Sequence, residues 1–156
     1  MKFQKTTIDF LKSMGWSEDR RVDACIFITS LIDDGYEPFP MAVSFLENFG
    51  GLDGSMPAYR VKGELERIHF NPKEAIDEIY REKVVTYEAR IGERLVVVGS
   101  ANNGHLTLVL SPQGRMFGAN DDYLCLLGNS VEEGITALFE NVDAEEVPQG
   151  QMGQID

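Results

Sequence analysis

The sequence predicts an α+β domain. Helix-patterned segments occupy roughly the first fifty residues, four short strand-like runs separated by turn residues follow Leu95, and a capped helix comes after them. At 156 residues, 43% hydrophobic and 26% charged, the chain is long enough to bury a real core and has ordinary globular composition. The expected organisation is one domain over residues 1–142, followed by a flexible acidic and polar tail over 143–156.

The elements follow in order. Thr6 with Asp9 has capping-box spacing ahead of Ile8, Phe10, Leu11 and Met14, so a short helix is expected, ended by Gly15. Residues Ser17 to Arg21 open a second helix over VDACIFITSLIDD, whose apolar positions cover a broad face and predict deep burial; Gly35 closes it. In Glu37-Pro38-Phe39-Pro40 each residue before a proline is pushed from helical geometry, and Pro40 suits the first turn of a third helix. That helix ends in FLENFGGL, where Gly50-Gly51 reads as a helix C-cap with Leu52 folding back on the apolar face.

Leu52 to Arg60 reads as loop, and Tyr59 to Lys62 and Leu65 to Phe70 as short strands. Asn71-Pro72-x-Glu74 is a helix start: a capping Asn, Pro at the first position, an acid in the first turn. How that helix ends stays open, because VVTYEARIG fits helix or strand. LVVVGS, HLTLVL, GRMFGA and YLCLLG then form a meander, punctuated by Asn102-Asn103-Gly104, Ser111-Pro112-Gln113-Gly114 and Asn120-Asp121-Asp122. Ser130 and Glu133 cap a last helix with Val131, Ile135, Leu138 and Phe139 on one face.

Charge is the most informative bulk property. The net is -12, and from Leu95 onward Arg115 alone opposes nine acids. Such a field repels nucleic acid and anionic membrane and speeds encounter with a basic partner. No apolar run approaches the roughly 20 residues that span a bilayer. The N-terminal stretch has no continuous apolar segment or small-residue cleavage site, so the cytoplasm is the expected residence.

Templates for chemistry find little purchase. There is no GxSxG elbow and no Walker-type lysine; GGLDGS follows a helix rather than preceding one, which is the wrong end of the dipole for a phosphate. Cys25 and Cys125 lie in apolar surroundings and are expected to be buried thiols. His69 and His105 lack metal-ligand spacing. The carboxylate pairs Asp33-Asp34, Asp121-Asp122, Glu132-Glu133 and Glu145-Glu146 sit at turns and helix starts, where acids are solvated rather than split in pKa as acid–base catalysis requires. His69 reads as a packing or strand-edge histidine, and Trp16 as a packing anchor. No catalytic residue, cofactor or metal is expected, so the chain is read as a non-enzyme.

The order of features nonetheless matches a family. Gly15-Trp16, Arg20-Arg21-Val22-Asp23, Leu31, Gly35 and Ala42-x-x-Phe45-Leu46-x-x-Phe49-Gly50-Gly51-Leu52 resemble the SUKH superfamily, closest to its third subgroup, the bacterial immunity proteins. His69-Phe70-x-Pro72-x-x-Ala75, Tyr87, Ile91-Gly92-x-x-Leu95, Val98-Gly99 and Gly114-Arg115-Met116-Phe117 continue the series, which covers roughly residues 10–140. The chain departs from the family at Ser17-Glu18-Asp19 and Val97-Val98-Gly99, where proline and glycine are frequent.

The resemblance implies an α+β fold with a mixed, bent, antiparallel-rich sheet and flanking helices. It also implies binding and neutralisation of a cognate toxin domain, often a nuclease, or alternatively a non-enzymatic scaffold or adaptor role. An acidic inhibitor suits a basic nucleic-acid groove, so the toxin-binding candidates are the acidic loops: Asp33, Asp34, Glu37, Asp121, Asp122, Glu132 and Glu133.

Overall fold

The computed structural model describes residues 2–57, 62–140 and 144–148. In chain order these form α1 (Lys5–Ser13), α2 (Cys25–Asp33), α3 (Pro40–Phe49), β1 (Asp53–Pro57), β2 (Leu65–His69), α4 (Pro72–Ala75), α5 (Arg81–Ile91), β3 (Val96–Ala101), β4 (Leu106–Leu110), β5 (Met116–Asn120), β6 (Tyr123–Gly128), α6 (Val131–Glu140) and β7 (Glu145–Glu146). The seven strands make one sheet in sequence order, and every pairing is antiparallel. The fold is therefore α+β, with helices packed around a meander.

The sheet bends for identifiable reasons. Register shifts fall between Val97 and Gly99 and between Met116 and Phe117, and such bulges increase local twist. β2 meets β3 through a single ladder pair, His69 with Ser100, and beyond it Arg67 is tied to the β3–β4 turn, its N–H donating to Asn103 Oδ1 at 2.7 Å and its carbonyl accepting from the Asn103 N–H at 3.2 Å. All six residues of β3 are buried, so layers cover both of its faces. α6 lies against β5 and β6, α1 packs on α6, and α4 lies against β3 and α2. Thr7 Oγ1 donates to Glu140 Oε2 at 2.7 Å, and Phe10 stacks on Phe139, tying the first helix to the last.

Several helix signals act as expected. Pro40 opens α3, Asn71 Oδ1 accepts from the Lys73 N–H at 3.0 Å, and Ser130 Oγ accepts from the Glu133 N–H at 3.1 Å. Gly35 closes α2 in a Schellman arrangement, with Tyr36 N–H on Leu31 O at 2.9 Å. Trp16 is a packing anchor, stacked on Phe49 with centroids 6.0 Å apart.

Elsewhere the structure departs from an expected element, decides an open one or does not describe it. Thr6 lies inside α1, whose N-cap is Gln4 with no side-chain bond, so Thr6 and Asp9 form no capping box. α2 begins only at Cys25, and it buries Phe27 and Leu31 alone, leaving Ile26 and Ile32 more than half exposed. Cys25 is consequently exposed, while Cys125 is buried as expected. The stretch after Leu52 is not loop: Asp53–Pro57 pairs residue for residue with Leu65–His69. VVTYEARIG is helical, as α5, and ends at left-handed Gly92. The expected strand at Tyr59 to Lys62 lies mostly outside the described residues. Glu145–Glu146, in the segment expected to form the tail, pairs with Cys125 and Leu126.

The Gly50-Gly51 junction is a helix C-cap as expected, with Gly51 left-handed at φ 87 and Leu52 buried, and it does more than end the helix. Gly50 N–H closes the helix on Leu46 O at 2.8 Å, but Gly51 N–H donates to Phe70 O at 2.9 Å. Phe70 N–H returns the bond to Leu52 O at 2.9 Å. The glycines thus swing the chain straight from helix into the sheet ladder. Arg20 clamps the turn, donating to Asn48 O at 3.0 Å and Gly50 O at 2.9 Å.

Candidate functional site

Four of the acids singled out by sequence, Asp34, Glu37, Asp121 and Asp122, are distributed about α5. On one side of that helix runs the loop that follows α2. Arg81, at the start of α5, donates to Gly35 O at 3.2 Å, and its guanidinium lies 4.5 Å over the Tyr36 ring. Arg81 pairs with Glu88 at 3.3 Å, and Glu88 Oε2 also accepts from the Leu95 N–H at 2.8 Å. Farther along the loop Glu37 meets Arg94 at 3.4 Å, and Arg94 covers Phe39.

The β5–β6 turn occupies the other side. Lys83 pairs with Asp122 at 2.8 Å, Tyr87 donates its hydroxyl to Asp121 O at 2.5 Å, and Arg90 donates to Asp122 O at 2.8 Å. Asp121 has φ 51, so a hairpin turn accounts for its backbone. Burial and the nearby Asp121 push the Tyr87 phenol up to about 12, so it stays a donor at ordinary pH. Between the flanks, Glu82, Val85, Thr86 and Ala89 of α5 face outward at helical spacing, with Tyr80 82% exposed at the helix start and Tyr123 42% exposed beyond the turn.

Asp34, Glu37, Asp121 and Asp122 therefore border α5, with Arg81 on Gly35 O and Arg94 on Glu37 at one side and Lys83 and Arg90 on Asp122 at the other, while Asp33 is exposed at the end of α2. Glu132 and Glu133 stand at the start of α6. Glu132 accepts from the Lys2 N–H at 3.2 Å, and Glu133 Oε1 accepts from the Asn129 N–H at 3.2 Å. Among the described residues no ion pair or hydrogen bond joins these two to the α5 face. Glu132 instead borders an apolar hollow of about 190 Å³ with Met41, Phe45 and Val131.

Sequence reading passed over the acids at the entry to α5. Burial, and after it the nearby Glu82 and Asp77, push the Asp34 carboxyl up against the opposing charge of Arg81. Only the run IDEIYRE advertised them, and nothing local says that it folds against the end of α2.

The other titratable groups have structural settings. Arg67 binds both Asp53 and Glu74, which holds both carboxyls below their usual range. His69 is buried, accepts the Asn71 N–H on Nδ1 at 3.1 Å, and lies 3.4 Å from Glu74; burial holds it below the ordinary histidine value. The Cys25 thiol is exposed, but hydrogen bonding to Asp23 pushes its pKa up, opposite to what a nucleophilic thiolate needs. Among the described residues no group of three or more His, Cys, Asp or Glu is placed to hold a metal. No described helix is long and apolar enough to cross a membrane. The arrangement offers a charged, partly aromatic face suited to protein contact.

A family model described as SUKH-3 immunity protein matches residues 3–141. Comparison with curated proteins and with solved structures returns no match in either set.

Proposed function

The chain belongs to the SUKH-3 immunity protein family, and on that premise we propose that it binds a cognate toxin domain and neutralises it by occupying its surface, in the cytoplasm of the cell that makes both. The observation that carries this reading is the family match over residues 3–141, to which the acidic face about α5 adds a physical means. The toxin fitting this face is a nuclease. Such an enzyme must present basic surface to its substrate, and a protein of net charge -12 is drawn to that surface. Steered encounter of this kind reaches on the order of 10⁸–10⁹ M⁻¹s⁻¹ and weakens with salt.

Binding of this kind requires neither catalysis nor a cofactor, and the same field disfavours nucleic acid and anionic membrane as partners. The contact set proposed comprises Asp33 at the end of α2 and Asp34, Glu37, Asp121 and Asp122 around α5, with Glu132 and Glu133 as a separate patch.

Co-expression is the test. Cells carrying a toxin gene encoded beside this one should survive only when this protein is made, and should die when it is withheld. Survival that does not depend on it contradicts immunity and favours a scaffold or adaptor role.

A further inference from the structure

α2 reads CIFITSLID, with no charged residue before Asp33, and a helix so largely apolar belongs in a core. This one lies at the surface. It turns Phe27 and Leu31 inward, while Ile26 and Ile32 are 57% and 56% exposed. Cys25, Ile26, Thr29 and Ile32 recur at helical spacing, so these exposed side chains make one strip along the outer face. Apolar residues scattered singly over a surface need no explanation. Two isoleucines on one helix face, with no charge between them, leave burial unmet.

Charge indicates what covers the strip. Residues 18–37 carry six acids, Glu18, Asp19, Asp23, Asp33, Asp34 and Glu37, against two arginines. Arg20 is turned onto the carbonyls of Asn48 and Gly50, which leaves Arg21 as the exposed cation of the segment. Asp23 stands at one end of the strip, its Oδ1 accepting from the Cys25 N–H at 2.9 Å. Asp33 is exposed at the other end, where the helix carbonyls add negative potential. A second copy suits such a strip poorly, because two chains of net charge -12 repel. Nine residues also make a strip only about 14 Å long, which cannot supply the roughly 800 Å² per partner that a stable dimer buries. The strip therefore belongs to a larger interface with a partner of opposite charge. Arg81 donates to Gly35 O at 3.2 Å, joining the start of α5 to the end of α2, so the strip runs into the acid-bordered face of α5.

We infer that the outer face of α2 is the apolar centre of the toxin contact, with Ile26 and Ile32 entering an apolar patch of the toxin whose flanking basic residues meet Asp23 at one end and Asp33 at the other. The assignment rests on the immunity reading above and supplies what acids alone do not. Charged groups steer the encounter, whereas an apolar, desolvated centre inside a polar rim holds the complex together.

The test has two arms, both on the full chain. In the first, Ile26→Ser, Ile32→Ser and the double variant are measured against the toxin encoded beside this gene, with Leu65→Ser, at a site 65% exposed, as the control. Serine has about the helix propensity of isoleucine and both sites face solvent, so each variant should melt within about 2 °C of wild type. Each single change should weaken binding about 10-fold and the pair about 100-fold, through faster dissociation with the salt slope unchanged. Leu65→Ser should bind as wild type does. In the second arm Cys25 supplies a footprint on the unsubstituted chain. N-ethylmaleimide should alkylate it readily in the free protein and far more slowly in the complex, while buried Cys125 stays unmodified in both. Wild-type affinity in the double variant, or equally fast alkylation of Cys25 in the complex, overturns the inference and leaves immunity standing. Slow alkylation of the free protein, or a wild-type dimer that the double variant loses in sedimentation, gives the strip to the chain itself or to a second copy and overturns it as well. If wild type binds no toxin, the immunity reading fails and this contact fails with it.

Discussion

Alanine at Gly50 and alanine at Gly51 should both destabilise the protein, for different reasons and by different amounts. Gly50 has φ -59 and ψ 134, backbone that any residue adopts. Its obstacle is space. A Cβ there would lie 2.3 Å from Leu46 O and 2.8 Å from the Phe27 ring. The carbonyl is fixed, because it accepts the Gly50 N–H at 2.8 Å, so the last turn of α3 or the buried ring must move. Overpacking of that kind costs about 3 kcal/mol. At Gly51 the nearest atoms to a Cβ are 3.6 Å and 3.8 Å away, so there is room. The obstacle there is φ 87, a left-handed conformation costing an L-residue about 1–2 kcal/mol. Urea unfolding at constant slope should therefore rank Gly50→Ala as the costlier change by about 1–2 kcal/mol. In a domain of this size the Gly50 variant should melt ~6–12 °C lower than wild type. Gly51→Asn should recover part of the Gly51→Ala loss, since asparagine tolerates left-handed geometry. A neutral Gly50→Ala, or a Gly51→Ala that costs more, would refute the packing described for this junction.

Three further outcomes are expected. Arg20→Ala should cost about 1.5–3 kcal/mol by removing the two charged hydrogen bonds that clamp this turn, and Arg20→Lys should restore only part, because an ammonium lacks the fork that reaches both carbonyls; full recovery in urea midpoints would contradict the clamp. His69 is held below its ordinary pKa by burial, so the unfolded chain takes up the proton first as pH falls. Stability contributed by neutral His69 is whole above about pH 6.5 and drains away as pH falls toward the lower folded value. His69→Asn, which keeps an acceptor for the Asn71 N–H, should flatten urea midpoints between about pH 8 and pH 5.5; an unchanged slope sinks the assignment. Paired charge reversals, Asp33→Lys with Glu37→Lys, should slow association with the toxin and weaken its salt dependence, while stopped-flow rates equal to wild type would move the interface elsewhere.

What the sequence made legible, and what it hid, divides by the range of the interactions involved. Pro40, Asn71, Ser130 and Gly35 act within one turn of themselves, so the helix ends they specify were readable. Strands β3 to β6 were readable because Asn102-Asn103-Gly104 and Asn120-Asp121-Asp122 force reversals between apolar runs. Asp53–Pro57 was not, because DGSMP has little strand propensity; its conformation comes from five pairs with β2, a partner eight or more residues away. The apolar content of α2 overstated its burial, since only Phe27 and Leu31 are fully buried and Ile28 is partly so, leaving Ile26, Ile32 and Cys25 outside. The family pattern in FGGL was plain, but its physical reason was not: the bond from Gly51 to Phe70 joins segments nineteen residues apart. Of the candidate acids, Asp33, Asp34, Glu37, Asp121 and Asp122 were visible as charged turns, whereas the assembly of the last four around α5 depends on Arg81, Lys83, Arg90 and Arg94. Asp77 and Glu82 gained meaning only when α5 folded against the end of α2.

The most direct test of the central claim is a stoichiometric titration of the purified toxin, with its residual activity as the readout. Neutralisation by binding requires activity to fall in proportion to added protein and to vanish at one equivalent. Activity that survives an excess, or that is destroyed by far less than one equivalent, would contradict it; the first removes inhibition altogether, and the second requires turnover.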